Sequence, residues 1–461
     1  MQQNYDLKKG LTIRHITMIS IGGVIGAGLF VGSGAVIHSA GPAAIVSYIL
    51  ASLMVVLVMR MLGEMASMNV ASGSFSTYAH EAIGPWAGFS IGWLYWFFWV
   101  IVIAIEAIAG AGILQYWFPD VPIWMLSLTL TILLTLTNVY SVKLFAEFEY
   151  WLALVKVVTI ILFLGLGVAI LFGLIPGVKS PGMSNLTGAG GFMPNGISSV
   201  LMGVVITFFS FVGTEIAAIA AGESAQPQKA ISIALNSVVW RLLVFYIGSI
   251  AVVVSLLPWN SAMLLKSPFV SVFEMVGIPA ASQIMNFIVL TAVLSCLNSG
   301  LYTSSRMLYA MAQKGNAPKA FAKVSRNGVP VRAVLAGTFF AYVSVIFNFV
   351  SPDKVFLFLV NASGGIALFV YLAIAFSHLI MRKKAERENP QALKVKMWCF
   401  PYLTYLTMMG IVSVLIGMFF DQSMRSQFYL TTFISIFVVV SYFIRRRKIR
   451  VNSKGEAYNN I

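Results

Sequence analysis

Residues 22–30 read GGVIGAGLF, and four of these nine residues are glycine. This stretch lies in the middle of residues 16–37, the first apolar segment of about 20 residues, which is the length that crosses a membrane. Glycine holds a helix poorly, and a segment in lipid must satisfy its own backbone hydrogen bonds. The cluster therefore predicts a helix that is interrupted inside the protein. The spacings Gly22–Gly26 and Gly28–Gly32 also favour close packing of two membrane helices, and both interpretations can hold on different faces.

The composition of the whole chain is that of a polytopic membrane protein. Of the 461 residues, 59% are hydrophobic and 10% are charged, whereas soluble domains are about 25% charged. Apolar runs long enough to span a membrane recur from end to end, so we predict an all-α polytopic protein with about twelve spans. Spans 1 to 12 are expected at residues 16–37, 41–63, 83–113, 122–142, 151–173, 194–222, 232–257, 279–311, 331–350, 353–381, 398–419 and 428–445.

Positive charge predicts how these spans are oriented. Of the 30 Lys and Arg residues, the loops that would lie outside when the N-terminus is inside hold Lys179, Lys266, Lys354 and Arg425. Because basic residues concentrate in cytoplasmic loops, residues 1–15 and the basic tail 446–461 are both expected in the cytoplasm. The net charge of +15 then indicates topology and contact with membrane lipids, and no nucleic-acid partner is expected. No cleavage site follows span 1, so we expect it to stay in the mature protein.

The first ten spans are expected to form two units of five. An odd number of spans gives residues 16–173 and 194–381 opposite orientations, which is the inverted-repeat plan of many secondary transporters. Span 6 is interrupted by FSFVGTE at residues 209–215, in the position that matches the glycine cluster of span 1. Matching interruptions indicate a binding site at the bilayer midplane. Residues 398–445 would add two further helices.

The expected break in span 1 suggests what kind of ligand binds. If the helix unwinds near Val24 to Gly26, then Gly26, Ala27 and Gly28 form the first turn of the outer half-helix. Their free N–H groups and the positive end of the helix dipole would bind an anionic group. The carbonyl of Val24, at the end of the inner half-helix, would suit an ammonium. A small zwitterion matches both ends.

Three charged residues within the spans are further candidates, because charge inside a membrane is costly and usually functional. Glu106 in span 3 is either a neutral acid bonded to a neighbouring helix or a functional carboxylate. Lys156 lies about five residues into span 5, where it could snorkel to the cytoplasm or face the interior as a proton-coupling residue. Glu215 follows the span 6 break, where it would brace the unwound segment or contact the substrate.

The remaining charged residues and motifs are expected to be structural. A solvated or loop-bracing role is predicted for Arg60, Glu64, His80, Glu81, Glu147, Glu149 and Glu223. Cys296 and Cys399 are far apart and imply no disulfide or metal site. The G-x-S-x-G match at residues 88–92 lies inside an apolar helix, which excludes the strand-to-helix elbow of a hydrolase. We expect no catalytic residues, no cofactor and no metal.

Six motifs taken in order resemble one family along nearly the whole chain. They are RHITMISIGGVIGAGLFVGSG, RMLGEMA, GWLYWFFWV, EFEYWLALVKV, FFSFVGTEIAAIAAGES and NSGLYTSSRMLYAMA. Together they are similar to the amino acid transporter family of the APC superfamily of bacterial permeases. Within that family, the chain looks most like the 4-aminobutyrate (GABA) permeases. The resemblance implies a LeuT/APC-like five-plus-five inverted repeat with two extra helices, in the bacterial cytoplasmic membrane.

The resemblance also implies roles for individual residues. Members of the family bind the substrate carboxylate at the segment that corresponds to Gly26, Ala27 and Gly28, and the amino group at carbonyls near Val24 and in span 6. The position of Phe209 often holds an aromatic gate, although some relatives have tryptophan there. The FxGTE element corresponds to Phe211, Gly213, Thr214 and Glu215. Lys156 matches a lysine that, in proton-coupled relatives, stands where sodium binds in other members.

Together these observations predict a proton-coupled importer of a small amino acid, with GABA as the leading substrate, that works by alternating access. A sodium-coupled or exchange-type transporter of the same fold is the alternative. A channel would want repeated polar or carbonyl rings along a continuous pore, whereas the sequence shows two local breaks. A membrane enzyme is disfavoured, because the sequence shows no arrangement of residues typical of a catalytic site. Only flux measurements distinguish a transporter from an amino-acid sensor that binds its ligand without transporting it.

Overall fold

The computed structural model describes residues 11–69, 74–220, 226, 229, 233, 240–261, 264, 267–275, 280–350, 352–393 and 395–458. Throughout these residues the regular structure is helical. The α-helices are α1 (Ile13–Gly22), α2 (Ser33–Ala40), α3 (Ala44–Met68), α4 (Ser74–Ala82), α5 (Pro85–Leu114), α6 (Ile123–Tyr140), α7 (Val142–Leu171), α8 (Ser184–Thr187), α9 (Gly196–Phe211), α10 (Ile216–Ala220), α11 (Ser249–Leu256), α12 (Pro268–Met275), α13 (Ala281–Gln313), α14 (Val331–Val350), α15 (Pro352–Glu388), α16 (Tyr402–Phe420) and α17 (Arg425–Tyr458).

The expected all-α polytopic architecture is confirmed. Among the described residues, nine helical stretches are long and apolar enough to cross a membrane, and Leu243–Leu256 and Val331–Val343 are shorter apolar helices. The first of the nine, Gly28–Met68, contains the outer half of span 1 and all of span 2, with a bend at Gly41. These stretches therefore account for all twelve predicted spans.

Several helices extend beyond their predicted spans. Span 5 was expected to begin at residue 151, but α7 begins at Val142. The helix of span 10 continues to Glu388, and that of span 12 continues to Tyr458 through most of the predicted tail. Apolarity marks only the part of a helix in lipid, whereas Lys, Glu and Arg continue the helix outside it because they are good helix formers. In span 7, which is described from Trp240, a π-helix at Leu242–Gly248 precedes α11.

Spans 1 and 6 are both interrupted, as predicted. Helix α1 ends at Gly22, and span 1 resumes as a π-helix at Gly28–Gly32 that leads into α2. In span 6, α9 continues through Phe211 and α10 begins at Ile216, so the break is shorter than the predicted 209–215. We call residues 23–27 the first break and residues 212–215 the second break.

The two breaks lie against each other in the interior of the bundle. Gly213 has a φ of +115°, and a Cβ added there would stand 2.3 Å from the carbonyl oxygen of Gly23. Only glycine tolerates both that torsion and that approach. Around them, α1 packs on α7, α9 packs on α3, and α5 and α13 share the most extensive contact between two helices. The breaks are thus surrounded by continuous helices that can supply side chains to them.

Candidate functional site

The amide end of the first break is held by a carboxylate. The N–H of Ala27 donates to both oxygens of Glu106, at 3.1 and 3.0 Å, and both residues are buried. Gly26 makes this approach possible, because a Cβ there would stand 2.6 Å from Glu106 Oε1 and from the Cβ of Cys296. Gly28 lies against Ser210 of α9 in the same way. The structure thus places an anionic side chain where the sequence predicts an anionic substrate group.

The carbonyl end of the same break is held by donors from three other spans. Lys156 Nζ donates to the carbonyl of Gly22 at 2.7 Å, and Cys296 Sγ donates to that of Gly23 at 3.4 Å. The hydroxyl of Tyr246 lies 2.9 Å from the carbonyls of both Val24 and Ser210. Because a hydroxyl carries one hydrogen, Tyr246 donates to one of the two at a time. The sequence predicts no role at the break for Tyr246 or Cys296, since neither stands in a recognisable motif.

Lys156 lies deep in the protein, and the alternative in which it snorkels to the cytoplasm is wrong. It is the fifteenth residue of α7, which begins at Val142, so it stands about 21 Å along the helix at 1.5 Å per residue. Its side chain is fully buried. The error came from the predicted start of span 5, because the first turns of α7 carry charged residues that lower the local hydropathy.

The second break is held largely by its own carboxylate. Glu215 accepts hydrogen bonds from the N–H of Gly213, at 3.1 Å to each oxygen, and from the hydroxyl of Thr214 at 3.3 Å. The hydroxyls of Tyr95 and Tyr371 also donate to it, at 2.8 and 3.2 Å. These contacts are those of a bracing residue, and a direct role toward substrate stays a prediction.

Phe211 of span 6 belongs to an aromatic cluster beside the first break. Phe211 makes edge-to-face contacts with Tyr246, at 4.8 Å between ring centroids, and with Tyr48, at 5.9 Å. Phe209 is 4% exposed. The rings of Phe211, Tyr246 and Tyr48 thus form one cluster beside the carbonyl end of the first break. The gating role of Phe209 stays a prediction.

Glu149 is a buried residue of this region, and the prediction that it is solvated or braces a loop is wrong. It is fully buried. The hydroxyl of Ser295 donates to one of its oxygens, and Asn298 Nδ2 donates to the other at 3.2 Å. Lys156 follows Glu149 by seven positions, which places both on one face of α7. That spacing was the available signal, and the misplaced start of span 5 concealed it.

Glu64 fulfils the predicted bracing role, although it is buried. Its carboxylate pairs with Arg382 Nη1 at 2.8 Å, stands 3.4 Å from His378 Nε2 and accepts the N–H of Met397. It thereby ties α3 to α15 and to the segment before α16. His80 and Glu81 are exposed, as expected, and Glu223 lies outside the described residues.

A cavity of about 790 Å³ is lined by residues from several spans. Its wall includes Val31, Ile108, Gln115, Ser271 and Glu274. Ile108 stands two residues beyond Glu106 in α5. Glu106 and the residues of the two breaks are not among those that line it.

Comparison with known proteins identifies the family. The family model described as amino acid permease matches residues 15–454. The chain is 65% identical to the gamma-aminobutyric acid permease of Bacillus subtilis (strain 168) over 99% of this chain and 97% of that protein. It is 47% identical to the gamma-aminobutyric acid permease of Escherichia coli (strain K12), over 99% and 98% of the two chains.

More distant matches share the fold or the general activity. The aromatic amino acid transport protein AroP of Corynebacterium glutamicum is 43% identical over 96% of each chain. A solved structure of the Eremococcus coleocola manganese transporter superposes with a TM-score of 0.60 at 14% identity, over 95% of this chain and 96% of that one, which shows a shared fold. With the multi-pass helical architecture and the matched family, the protein is a transporter and not an enzyme. The chain belongs to the amino acid permease family of the APC superfamily.

Proposed function

We propose that this protein imports GABA together with a proton, by alternating access across the bacterial cytoplasmic membrane. The relative at 65% identity is named for gamma-aminobutyric acid, and this supports the substrate. GABA is a small zwitterion, which suits a site with an amide end and a carbonyl end. The repeats 16–173 and 194–381, the helices of 398–445, and cytoplasmic locations for residues 1–15 and 446–461 belong to the same proposal.

The observation that carries proton coupling is the contact between Ala27 and Glu106. A substrate carboxylate that binds the Ala27 amide has to replace the carboxylate of Glu106. Two carboxylates at one buried amide repel each other, so the exchange is favourable once Glu106 has taken up a proton. Substrate and proton then stabilise the same state, which is what coupling requires. The amides of Gly26 and Gly28 flank Ala27 and complete the proposed carboxylate site.

The ammonium group would bind at the other end of the breaks. The Val24 carbonyl shares the Tyr246 hydroxyl with Ser210, so an ammonium can take over one of two carbonyls without leaving Tyr246 unbonded. Phe211 and Gly213 border this position in span 6. Phe209 is proposed as the aromatic gate. Lys156 holds the end of α1 through Gly22, so the protonation of Lys156 controls how firmly the inner half-helix is fixed.

The test is uptake of labelled GABA by proteoliposomes in which the membrane potential is clamped near zero. A gradient of about one pH unit, alkaline inside, supports about tenfold accumulation with one proton per substrate. We expect this accumulation without sodium. Accumulation that follows a sodium gradient instead would support sodium symport, and counterflow without accumulation would support an exchanger. The absence of any flux would leave only a sensor.

The substrate is tested separately by competition. Unlabelled GABA should suppress uptake of labelled GABA more strongly than glycine, alanine or serine does. If one of these α-amino acids competes better, transport stands and the assignment of GABA is wrong.

A further inference from the structure

We propose that Glu149 receives the proton from Lys156 and passes it toward the cytoplasmic end of the bundle. This inference rests on the proposed proton coupling. Glu149 does not touch the proposed substrate groups at the first break. Through Glu149, the proton would be released from Lys156 to the cytoplasm without returning to Glu106.

Lys156 and Glu149 meet at one residue of α1. Lys156 Nζ donates to the carbonyl of Gly22 at 2.7 Å. A Cβ added to Gly22 would stand 1.8 Å from Glu149 Oε1, so the carboxylate lies directly against the Gly22 backbone. The two residues are seven apart in α7, about 10.5 Å along its axis. Both side chains therefore lie against Gly22, the last residue of the inner half-helix, and no ion pair within 4.0 Å joins these two described residues.

The surroundings of Glu149 leave Lys156 as its counter-charge. Its two oxygens accept hydrogen bonds from Ser295 and Asn298, and Asn298 Oδ1 in turn accepts from Asn138 Nδ2 at 2.6 Å. These donors are neutral, and all of these side chains are buried. A buried carboxylate among neutral donors is costly unless it is paired or protonated. Among the described residues, Lys156 is the cation bonded to the Gly22 backbone against which Glu149 lies.

Other charged or titratable groups face this pair from several elements. Glu106 of α5 accepts from the Ala27 amide and Cys296 of α13 donates to the Gly23 carbonyl, so both contact the first break. Arg241 of span 7 donates to the hydroxyl of Ser20, two residues before Gly22. Glu147 lies two residues closer to the start of α7 than Glu149 does. Its side chain is 40% exposed and bonds to His15 at 3.0 Å and to Arg14 at 3.3 Å. Along α7, Glu149 therefore lies between the buried Lys156 and the partly exposed Glu147 near the start of the helix.

The proposed step conserves charge. When Lys156 Nζ leaves the Gly22 carbonyl and contacts Glu149 Oε1, an N–H bond of the ammonium breaks and an O–H bond forms on Glu149, so an ammonium and a carboxylate become a neutral amine and a neutral acid. Glu149 then releases the proton to water at the start of α7 and becomes a carboxylate again. The neutral amine makes a weaker hydrogen bond to the Gly22 carbonyl than the ammonium does. Proton transfer would thereby loosen the inner half-helix when it has to move.

The deciding variant is Glu149→Gln, which keeps the shape and loses the exchangeable proton. In reconstituted vesicles with a gradient of about one pH unit, we expect the roughly tenfold accumulation of GABA to fall to no accumulation. Exchange of internal for external GABA needs no net proton movement and should stay within about twofold of wild type. Glu147→Gln, which removes an exposed carboxylate from the same helix, should retain accumulation and serves as the matched control.

The outcomes separate this inference from the proposed function. Wild-type uptake that ignores the pH gradient would overturn the proton coupling itself. Wild-type coupling with unchanged accumulation in Glu149→Gln would overturn only the role of Glu149. Equal loss of exchange and accumulation in Glu149→Gln would show a structural role and would also overturn it. If the glutamine variant does not reconstitute, Glu149→Asp decides: a shifted pH profile of accumulation supports the inference, and an unchanged profile contradicts it.

Discussion

The two helix breaks solve the same problem with different partners. In the first break, the exposed backbone groups are bonded by side chains from other spans, namely Glu106, Lys156 and Tyr246. In the second break, the Gly213 amide is bonded by Glu215, two residues further along the same segment. The partners of the first break change when neighbouring helices move or change protonation. The second break keeps its partner when neighbouring helices move, because Glu215 belongs to the same segment as Gly213.

This difference suggests that the two breaks have different roles in the proposed site: one keeps a fixed geometry and the other exchanges its partners. Glu215 receives bonds from a backbone amide and three hydroxyls, and hydrogen bonds to a charged group contribute about 1.5–3 kcal/mol each. Such a network favours a fixed geometry. Glu106 contacts a single backbone amide, which a substrate carboxylate can take over. We therefore interpret the second break as the rigid wall of the site and the first break as its exchangeable part.

The largest effect is expected where the two breaks touch. Gly213→Ala combines the cost of a positive φ, about 1–3 kcal/mol for a residue other than glycine, with a collision against the Gly23 carbonyl at 2.3 Å. We expect loss of transport and a lower melting temperature in detergent. Gly196→Ala is the matched control, because its φ is +75° and nothing lies within 4 Å of the added Cβ. Equal melting temperatures for the two variants would contradict the contact between the breaks.

The second largest effect is expected at Glu215, which fixes the geometry of the second break. Glu215→Gln removes the charge and turns an amide N–H₂ toward groups that are themselves donors, so we expect a loss of about 2–4 kcal/mol of stability. Thermal unfolding of the purified variant measures it. A melting temperature equal to that of wild type would show that Glu215 does not brace the break.

A smaller effect is expected from displacing Glu106 without removing it. A Cβ on Gly26 would stand 2.6 Å from Glu106 Oε1, so Gly26→Ala should move the carboxylate away from Ala27 and crowd the amides. We expect GABA affinity to fall about tenfold, equivalent to about 1.4 kcal/mol. Gly32→Ala is the control, since its added Cβ has no neighbour closer than 3.6 Å. Equal affinities in the two variants would mean that the glycines only allow helix packing.

The smallest effect is expected at the shared hydroxyl. Tyr246→Phe removes one donor from the carbonyls of Val24 and Ser210, which should change GABA affinity by about 1 kcal/mol, or roughly fivefold. Tyr371→Phe removes a donor from Glu215 instead, so it should lower stability and leave affinity near wild type. Titration calorimetry and thermal unfolding of both variants would show whether binding and bracing are separable. Identical behaviour of the two would contradict the division between the breaks.

Local sequence was enough to predict the architecture and the place of the first break. Apolar length gave the spans, and the glycine cluster of residues 22–28 marked the interruption, because both are properties of neighbouring residues. The partners of the break could not be predicted in the same way. Ala27 and Glu106 are 79 residues apart, and their contact depends on the rotation and depth of two separate helices.

The failures at Lys156 and Glu149 have one physical origin. Charged residues at the start of α7 lower its hydropathy, so the apolar pattern placed span 5 nine residues too late. That shift made Lys156 look shallow and Glu149 look solvated. Tyr246 was missed for a different reason, since a tyrosine within an apolar span is as typical of packing as of hydrogen bonding.

In the proposed mechanism, the substrate carboxylate and the Glu106 carboxylate compete for the Ala27 amide. The most direct measurement is the number of protons taken up when GABA binds, obtained by calorimetry at one pH in buffers of different ionisation enthalpy. We expect uptake of roughly one proton per GABA for wild type and close to none for Glu106→Gln. Equal proton uptake in the two proteins, or none in wild type, would contradict it.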